Sequence, residues 1–303
     1  MTDLSELKNA LRGVATVAIT PFDDNLVIDE AAMRRVVRYL DDGGTDTLVV
    51  GGGTGEFYAL TPAERRQIVE IAADEVQRAP LVVSVGLDAA TAAADAKNAE
   101  RLGAAGVMIH QPIHPYTHPD GLRDYYRTIA AATDIGLVPY IRDPRVGVDL
   151  VKDILSYGNV VAVKYAVNNI RSFADIVQET RDVSDAVWVC GTAEIWAPFF
   201  AVAGSTGFTS GLANFAIAEA LRMRDALVLG NQKAAMEVWE RIRPIEDLRS
   251  RWHDANNVAV LKAGAALVGL SGDRARPPLR TLPAGEREEL AQILRNLGIK
   301  VTE

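Results

Sequence analysis

Short apolar runs alternate with longer stretches of helical period along most of this chain. The runs at 13–19, 46–51, 81–86, 106–110, 136–141, 159–164, 187–191 and 205–210 are mostly rich in Val and Ile and bounded by Gly, Pro or Asp. That is the pattern of strands buried on both faces. Between them, 28–42, 61–77, 89–102, 120–132, 149–157, 170–183, 195–203 and 215–229 carry helical periodicity. Two of these have marked beginnings. Asp29 precedes the first, and Thr61-Pro62-Ala63-Glu64 is a capping box with proline at the first helical position.

Strict alternation predicts an α/β fold with a parallel sheet and helices outside it. Eight such units are the number that closes a (β/α)8 TIM barrel. A doubly wound open sheet is the competitor, but nothing like G-x-G-x-x-G follows the first run. Beyond residue 230 the strand signal stops, and 231–251, 255–270 and 284–297 read as helices. The expected organisation is a catalytic barrel over 1–230 carrying a C-terminal helical annex over 231–303.

Composition narrows the function classes. The 303 residues are 49% hydrophobic and 24% charged, which is ordinary globular usage and excludes a disordered, collagenous or disulfide-stapled chain. A net charge of −8 argues against a nucleic-acid or anionic-membrane partner. No apolar run approaches the ~20 residues of a membrane span. The opening MTDLSELKNALRG holds an acidic residue at position 3 and no apolar centre, so a secretory signal is not expected. The single cysteine, Cys190, cannot make an internal disulfide, which points to the cytoplasm. Set in AVWVCG, it reads as an inert core residue.

A (β/α)8 barrel places its active site at the C-terminal ends of its strands. Lys164 stands out there. It interrupts an apolar strand, from Val160 to Val167, whereas the other six lysines, Lys262 included, read as helical or terminal with polar neighbours. An ammonium among apolar side chains loses solvation and its pKa falls. The neutral amine is then a nucleophile able to form a Schiff base with a ketone. The competing reading is a lysine neutralised by a barrel carboxylate such as Glu56, and position alone weighs the two evenly.

Tyr140 ends the preceding strand at the same height. It reads either as a proton relay beside the amine or as an ordinary aromatic residue at the barrel mouth. The glycine-rich turn at 51–55 lacks the G-x-x-x-x-G-K-[ST] of a phosphate cradle, and Glu56 stands where a cation would be wanted. Its free N–H groups suit a carboxylate instead. His110, His114 and His118 are spaced by four, but Pro112, Pro115 and Pro119 interleave with them. The segment is therefore a loop and no metal site is expected. His114, on a loop overhanging the mouth, is expected to hydrogen-bond a substrate.

Together these residues resemble the dihydrodipicolinate synthase/N-acetylneuraminate lyase family of class I aldolases and dehydratases. The resemblance rests on Thr20-Pro21 after the first strand and on the turn Gly52-Gly53-Thr54-Gly55-Glu56. It continues through Tyr140, Arg145 ahead of Gly147, Lys164 in Ala162-Val163-Lys164, Gly191, and Gly207-Phe208-Thr209-Ser210 followed by Asn214. It implies that Lys164 condenses with the C2 ketone of pyruvate or another 2-keto acid, that Tyr140 shuttles protons, and that Thr54 and the turn N–H groups hold Tyr140 and the substrate carboxylate. Gly53, Gly55, Arg145, Gly191 and Ser210 are then substrate-binding. No metal and no diffusible cofactor is implied. A homo-oligomer, dimer or tetramer, is expected.

Two departures bear on substrate. Gly53 stands where dihydrodipicolinate-forming members have a hydroxyl residue, and Ile113-His114 stands where they have a pair of tyrosines. Gly-Gly-Thr-Gly-Glu-Phe is instead similar to keto-deoxy sugar-acid dehydratases of the 5-dehydro-4-deoxyglucarate type. The expectation is a dehydratase of a 2-keto-3-deoxy sugar acid. Its rivals are a pyruvate-dependent aldolase, including 4-hydroxy-tetrahydrodipicolinate synthase, and a non-catalytic keto-acid sensor on the same scaffold.

Overall fold

Eight parallel strands close into one barrel in the order of the chain. The computed structural model describes residues 4–302. The strands are β1 (Val14–Val17), β2 (Thr47–Val50), β3 (Leu81–Val85), β4 (Gly106–His110), β5 (Gly136–Ile141), β6 (Ala162–Tyr165), β7 (Val187–Cys190) and β8 (Gly207–Ser210). Each falls within an apolar run of the sequence or within one residue of it. The closing pair is β1 with β8, in the register Ala15 opposite Thr209. The (β/α)8 expectation is met.

Helix α1 (Ser5–Ala10) precedes the barrel, and α2 (Glu30–Asp42), α3 (Pro62–Glu75), α4 (Ala89–Arg101), α5 (Pro119–Ala130), α6 (Val148–Leu155), α7 (Ile170–Thr180), α8 (Ala197–Val202) and α9 (Ala213–Val228) follow successive strands. Helices α10 (Gln232–Ser250), α11 (Asn257–Leu267) and α12 (Ala284–Asn296) complete the chain. The capping signals operate as the sequence indicated. The Asp29 carboxylate accepts from Ala32 N, and Thr61 and Glu64 exchange both bonds of a capping box.

Strand alternation divides the core in two. Leu48, Val83, Ile109, Ile141, Val163 and Phe208 face outward into the layer beneath the helices. Ala15, Val49, Val82, Met108, Val138, Ala162, Val187 and Val189 fill the barrel interior. Helix α1, which the sequence pattern did not announce, closes the lower end: Leu7 and Leu11 join the interior cluster. Glycines make room for this plug. A Cβ at Gly106 would stand 2.5 Å from Leu7 Cδ2 and 2.6 Å from the Gly136 carbonyl oxygen. Backbone cannot yield there, so Gly106→Ala is expected to cost about 1–3 kcal/mol by overpacking and to lower Tm. Gly121→Ala, inside α5 with nothing near its Cβ site, is expected to hold or raise Tm. Equal melting of the two variants would show that the plug is not tightly seated.

Candidate active site

Toward the C-terminal ends of the strands the interior changes character. His110, Tyr140 and Lys164 are the inward positions of β4, β5 and β6, two residues above Met108, Val138 and Ala162. They are also in register, with His110 opposite Tyr140 and Tyr140 opposite Lys164. A heteroatom-bearing row thus lies directly on the apolar filling of the barrel. Lys164 Nζ sits 4.0 Å from the centroid of the Tyr140 ring, on its face. The imidazole of His110 meets that ring edge-on at 5.3 Å and stacks on Phe57 at 4.5 Å.

Lys164 is buried. Desolvation, reinforced by the positive charge of Arg142, brings its pKa down to about 7. No carboxylate of the described residues lies within ion-pairing distance of it. Glu56, the partner weighed in the competing reading, is engaged elsewhere. Its carboxylate ion-pairs with Lys262 of α11 and accepts from Arg276 N at 3.0 Å. Lys262 also lies 4.0 Å over the Phe22 ring, donates to the Arg274 carbonyl at 2.6 Å, and has no exposed side-chain surface. The surroundings of Lys262 are thus largely apolar and enclosed, not the polar ones its sequence context suggests. Helix α11 is buried on all its faces, from Val258 to Leu267.

Other predicted site residues fall into two groups. The turn that joins β2 to α3 holds Gly53, Thr54 and Gly55. Gly51 enters it at φ +66° and Glu56 leaves it at φ +59°. The Thr20 hydroxyl donates to the Gly55 carbonyl at 2.7 Å, and a Cβ at Gly55 would stand 2.9 Å from Ala18 O. The Gly53 Cβ position is open space. Thr54 is half-buried, and its hydroxyl has no hydrogen-bond partner among the described residues. Gly191 abuts the lysine itself: a Cβ there would meet Lys164 Cγ at 3.0 Å and the Tyr165 carbonyl oxygen at 2.9 Å.

Three predicted site residues have partners of their own. Ser210 alternates outward behind Thr209, gives its hydroxyl hydrogen to the buried Glu194 carboxylate and accepts from Ala213 N at 2.9 Å. Arg145 is largely exposed and paired with Asp143, Nε to Oδ1 at 2.9 Å. His114 lies on the exposed loop, where its Nδ1 accepts from Tyr116 N at 3.2 Å. His118 caps α5. Among the described residues no cluster of three His, Cys, Asp or Glu side chains could hold a metal ion. Cys190 is free and buried, and desolvation pushes its thiol up to about 12.

The cation that does influence the row is Arg142, whose Cζ lies 5.7 Å from the Tyr140 ring and whose charge acts on Lys164. It has no carboxylate partner among the described residues, while Gln111 Oε1 fixes its backbone N–H at 2.6 Å. Arg142, Tyr58 and His110 were not singled out as site residues by the sequence. One signal for His110 was present, since it closes an apolar strand two residues after Met108.

Residues 10–297 match the model of a family described as the dihydrodipicolinate synthetase family. The chain is 31% identical to a probable 5-dehydro-4-deoxyglucarate dehydratase of Rhizobium rhizogenes, over 95% of this chain and 97% of that protein. It is 29% identical to the 4-hydroxy-tetrahydrodipicolinate synthase of Methanococcoides burtonii, over 94% and 98%. Among solved structures it superposes with a TM-score of 0.93 on dihydrodipicolinate synthase from Oceanobacillus iheyensis, at 35% identity over 98% of this chain and 99% of that one.

Proposed function

This chain belongs to the dihydrodipicolinate synthetase family and is a lyase, and we propose that it dehydrates a 2-keto-3-deoxy sugar acid through a Schiff base on Lys164. The observation that carries this reading is an amine buried at the barrel mouth, without a carboxylate partner among the described residues and seated on the face of Tyr140. Its pKa of about 7 leaves a large neutral fraction at neutral pH.

The Nζ lone pair attacks the C2 ketone of the substrate, and water leaves as the iminium forms. The iminium withdraws electrons from C3, so a C3 proton departs and an enamine results. The enamine pushes out the C4 hydroxyl, which leaves with a proton as water, and hydrolysis of the imine frees lysine and product. Tyr140 is placed to carry these protons. The turn at 53–55 supports the substrate carboxylate through its N–H groups, and Thr54 lies beside them with a free hydroxyl. Arg142, with no carboxylate of its own, suits a second acidic group at the far end of the substrate. No metal or diffusible cofactor enters these steps.

The resemblance of Gly53 and its turn to sugar-acid dehydratases, together with the similarity to a probable 5-dehydro-4-deoxyglucarate dehydratase, favours dehydration over aldol cleavage. The open space at Gly53 fits a long polyhydroxy chain. The 4-hydroxy-tetrahydrodipicolinate synthase of Methanococcoides burtonii supports the second reading. Turnover of pyruvate with aspartate semialdehyde would decide for it. We assign the chemistry to the barrel, 1–230, and a bracing role to the helices of 231–303. The enzyme is taken as a cytoplasmic homo-oligomer, dimer or tetramer, with no nucleic-acid or membrane partner.

Borohydride added with pyruvate is expected to fix a reduced adduct on Lys164, read by mass spectrometry. Only the neutral amine attacks, and its fraction grows as pH rises through the pKa. Initial trapping at fixed borohydride should therefore climb between roughly pH 6 and 8 and then level off, as a group of pKa about 7 requires. A rate still climbing toward pH 10 would mean an ordinary lysine and would defeat the reading. Conversion of keto-deoxy acids, detected with semicarbazide, tests the substrate class.

A further inference from the structure

His110 is enclosed, at 1% exposure, in the same row as Tyr140 and Lys164. Its two ring nitrogens are treated differently. Nδ1 lies 3.2 Å from the Tyr58 hydroxyl. Nε2 is buried and has no partner. The positive charge of the Arg142 guanidinium acts on the Tyr58 oxygen.

The directions along this chain follow from donor chemistry. A guanidinium can only donate. The Tyr58 oxygen therefore keeps its lone pairs toward the Arg142 charge and turns its own hydrogen to Nδ1. His110 accepts at Nδ1, so as a neutral ring it carries its hydrogen on Nε2. Burial, with the charges of Lys164 and Arg142, holds the ring neutral, its pKa brought down to about 3. The result is an N–H donor fixed in orientation, stacked on Phe57 and left without an acceptor. A buried polar hydrogen with no acceptor is costly, and this one belongs to the row that also bears the proposed nucleophile.

We propose that His110 Nε2–H is a specificity-determining donor that reads an oxygen of the substrate chain beyond the carbonyl captured by Lys164. Arg142 and Tyr58 act as positioning residues that hold the tautomer. This inference rests on the Schiff-base reading above and deepens it. Pyruvate, which has no oxygen past its carbonyl on that side, does not engage the donor. A hydroxylated 2-keto-3-deoxy acid does. The site therefore selects for a polyhydroxy chain as well as for a 2-keto acid.

The test compares two probes, pyruvate and 5-dehydro-4-deoxyglucarate, by the concentration that half-saturates borohydride trapping on Lys164. His110→Phe keeps a ring against Phe57 and removes the donor. It is expected to raise the sugar-acid concentration about ten- to hundredfold and to move that for pyruvate less than threefold. Tyr58→Phe alters a half-exposed position and so tests the inference even where His110→Phe does not fold. It frees the tautomer and should give the same split at a few-fold. Equal shifts for both probes, or no shift for either, would overturn the role of His110. So would a wild-type protein that traps the sugar acid no better than pyruvate. Failure of the wild type to trap pyruvate at all is a different result, which refutes the Schiff base itself.

Discussion

Lys164→Ala is expected to abolish adduct formation and to lower turnover by on the order of 10⁴-fold or more, while the protein melts no lower than the wild type. The two halves of this result have one cause. An amine buried without a carboxylate partner among the described residues is held against its own solvation, and its pKa of about 7 is the measure of that strain. Removing it deletes the proposed nucleophile and also a destabilising group. Lys164→Met, which refills the space with an apolar chain, should raise Tm above wild type. Steady-state kinetics and thermal melting on the two variants check the pair of claims. Full turnover by the alanine variant would rule out a lysine Schiff base. A steep fall in Tm for the methionine variant would show a structural lysine instead.

The elements that were plain in the sequence are those whose burial leaves a simple period. Most of the strands are largely apolar runs because both of their faces are covered, β8 (Gly207–Ser210) being the exception, and their order followed from strict alternation with helices. Helix α1 was missed because it is a single plug of six residues. Only Leu7 is buried within it and Leu11 just after it, too few to make a period. Lys164 was legible because one charge inside a β run has few harmless explanations. Arg145 and Arg142 show the opposite case. Both follow the same strand, and a spacing motif favours Arg145, yet Asp143 neutralises Arg145 while Arg142 keeps its charge over Tyr140. Which of two neighbouring arginines is free is decided by a side-chain partner, and spacing does not encode that. The role of Nε2 in His110 depends on Tyr58, distant in sequence, and on Arg142. No local pattern could announce it.

Lys262→Met is expected to destabilise the fold by about 3–5 kcal/mol, a fall in Tm on the order of 10 °C, although the residue lies in the last fifth of the chain, far in sequence from the strands it braces. Glu56 is 3% exposed. Its charge is tolerated because Lys262 and the Arg276 N–H face it. Taking away the ammonium leaves a buried carboxylate with one hydrogen bond. The cost falls on the turn at 51–56, since Glu56 is that turn's last residue, at φ +59°. Activity should drop with stability, and a double variant, Lys262→Met with Glu56→Gln, should recover most of the lost Tm because no charge then remains to be buried. A deficit not relieved by Glu56→Gln would mean that α11 braces the turn by packing alone.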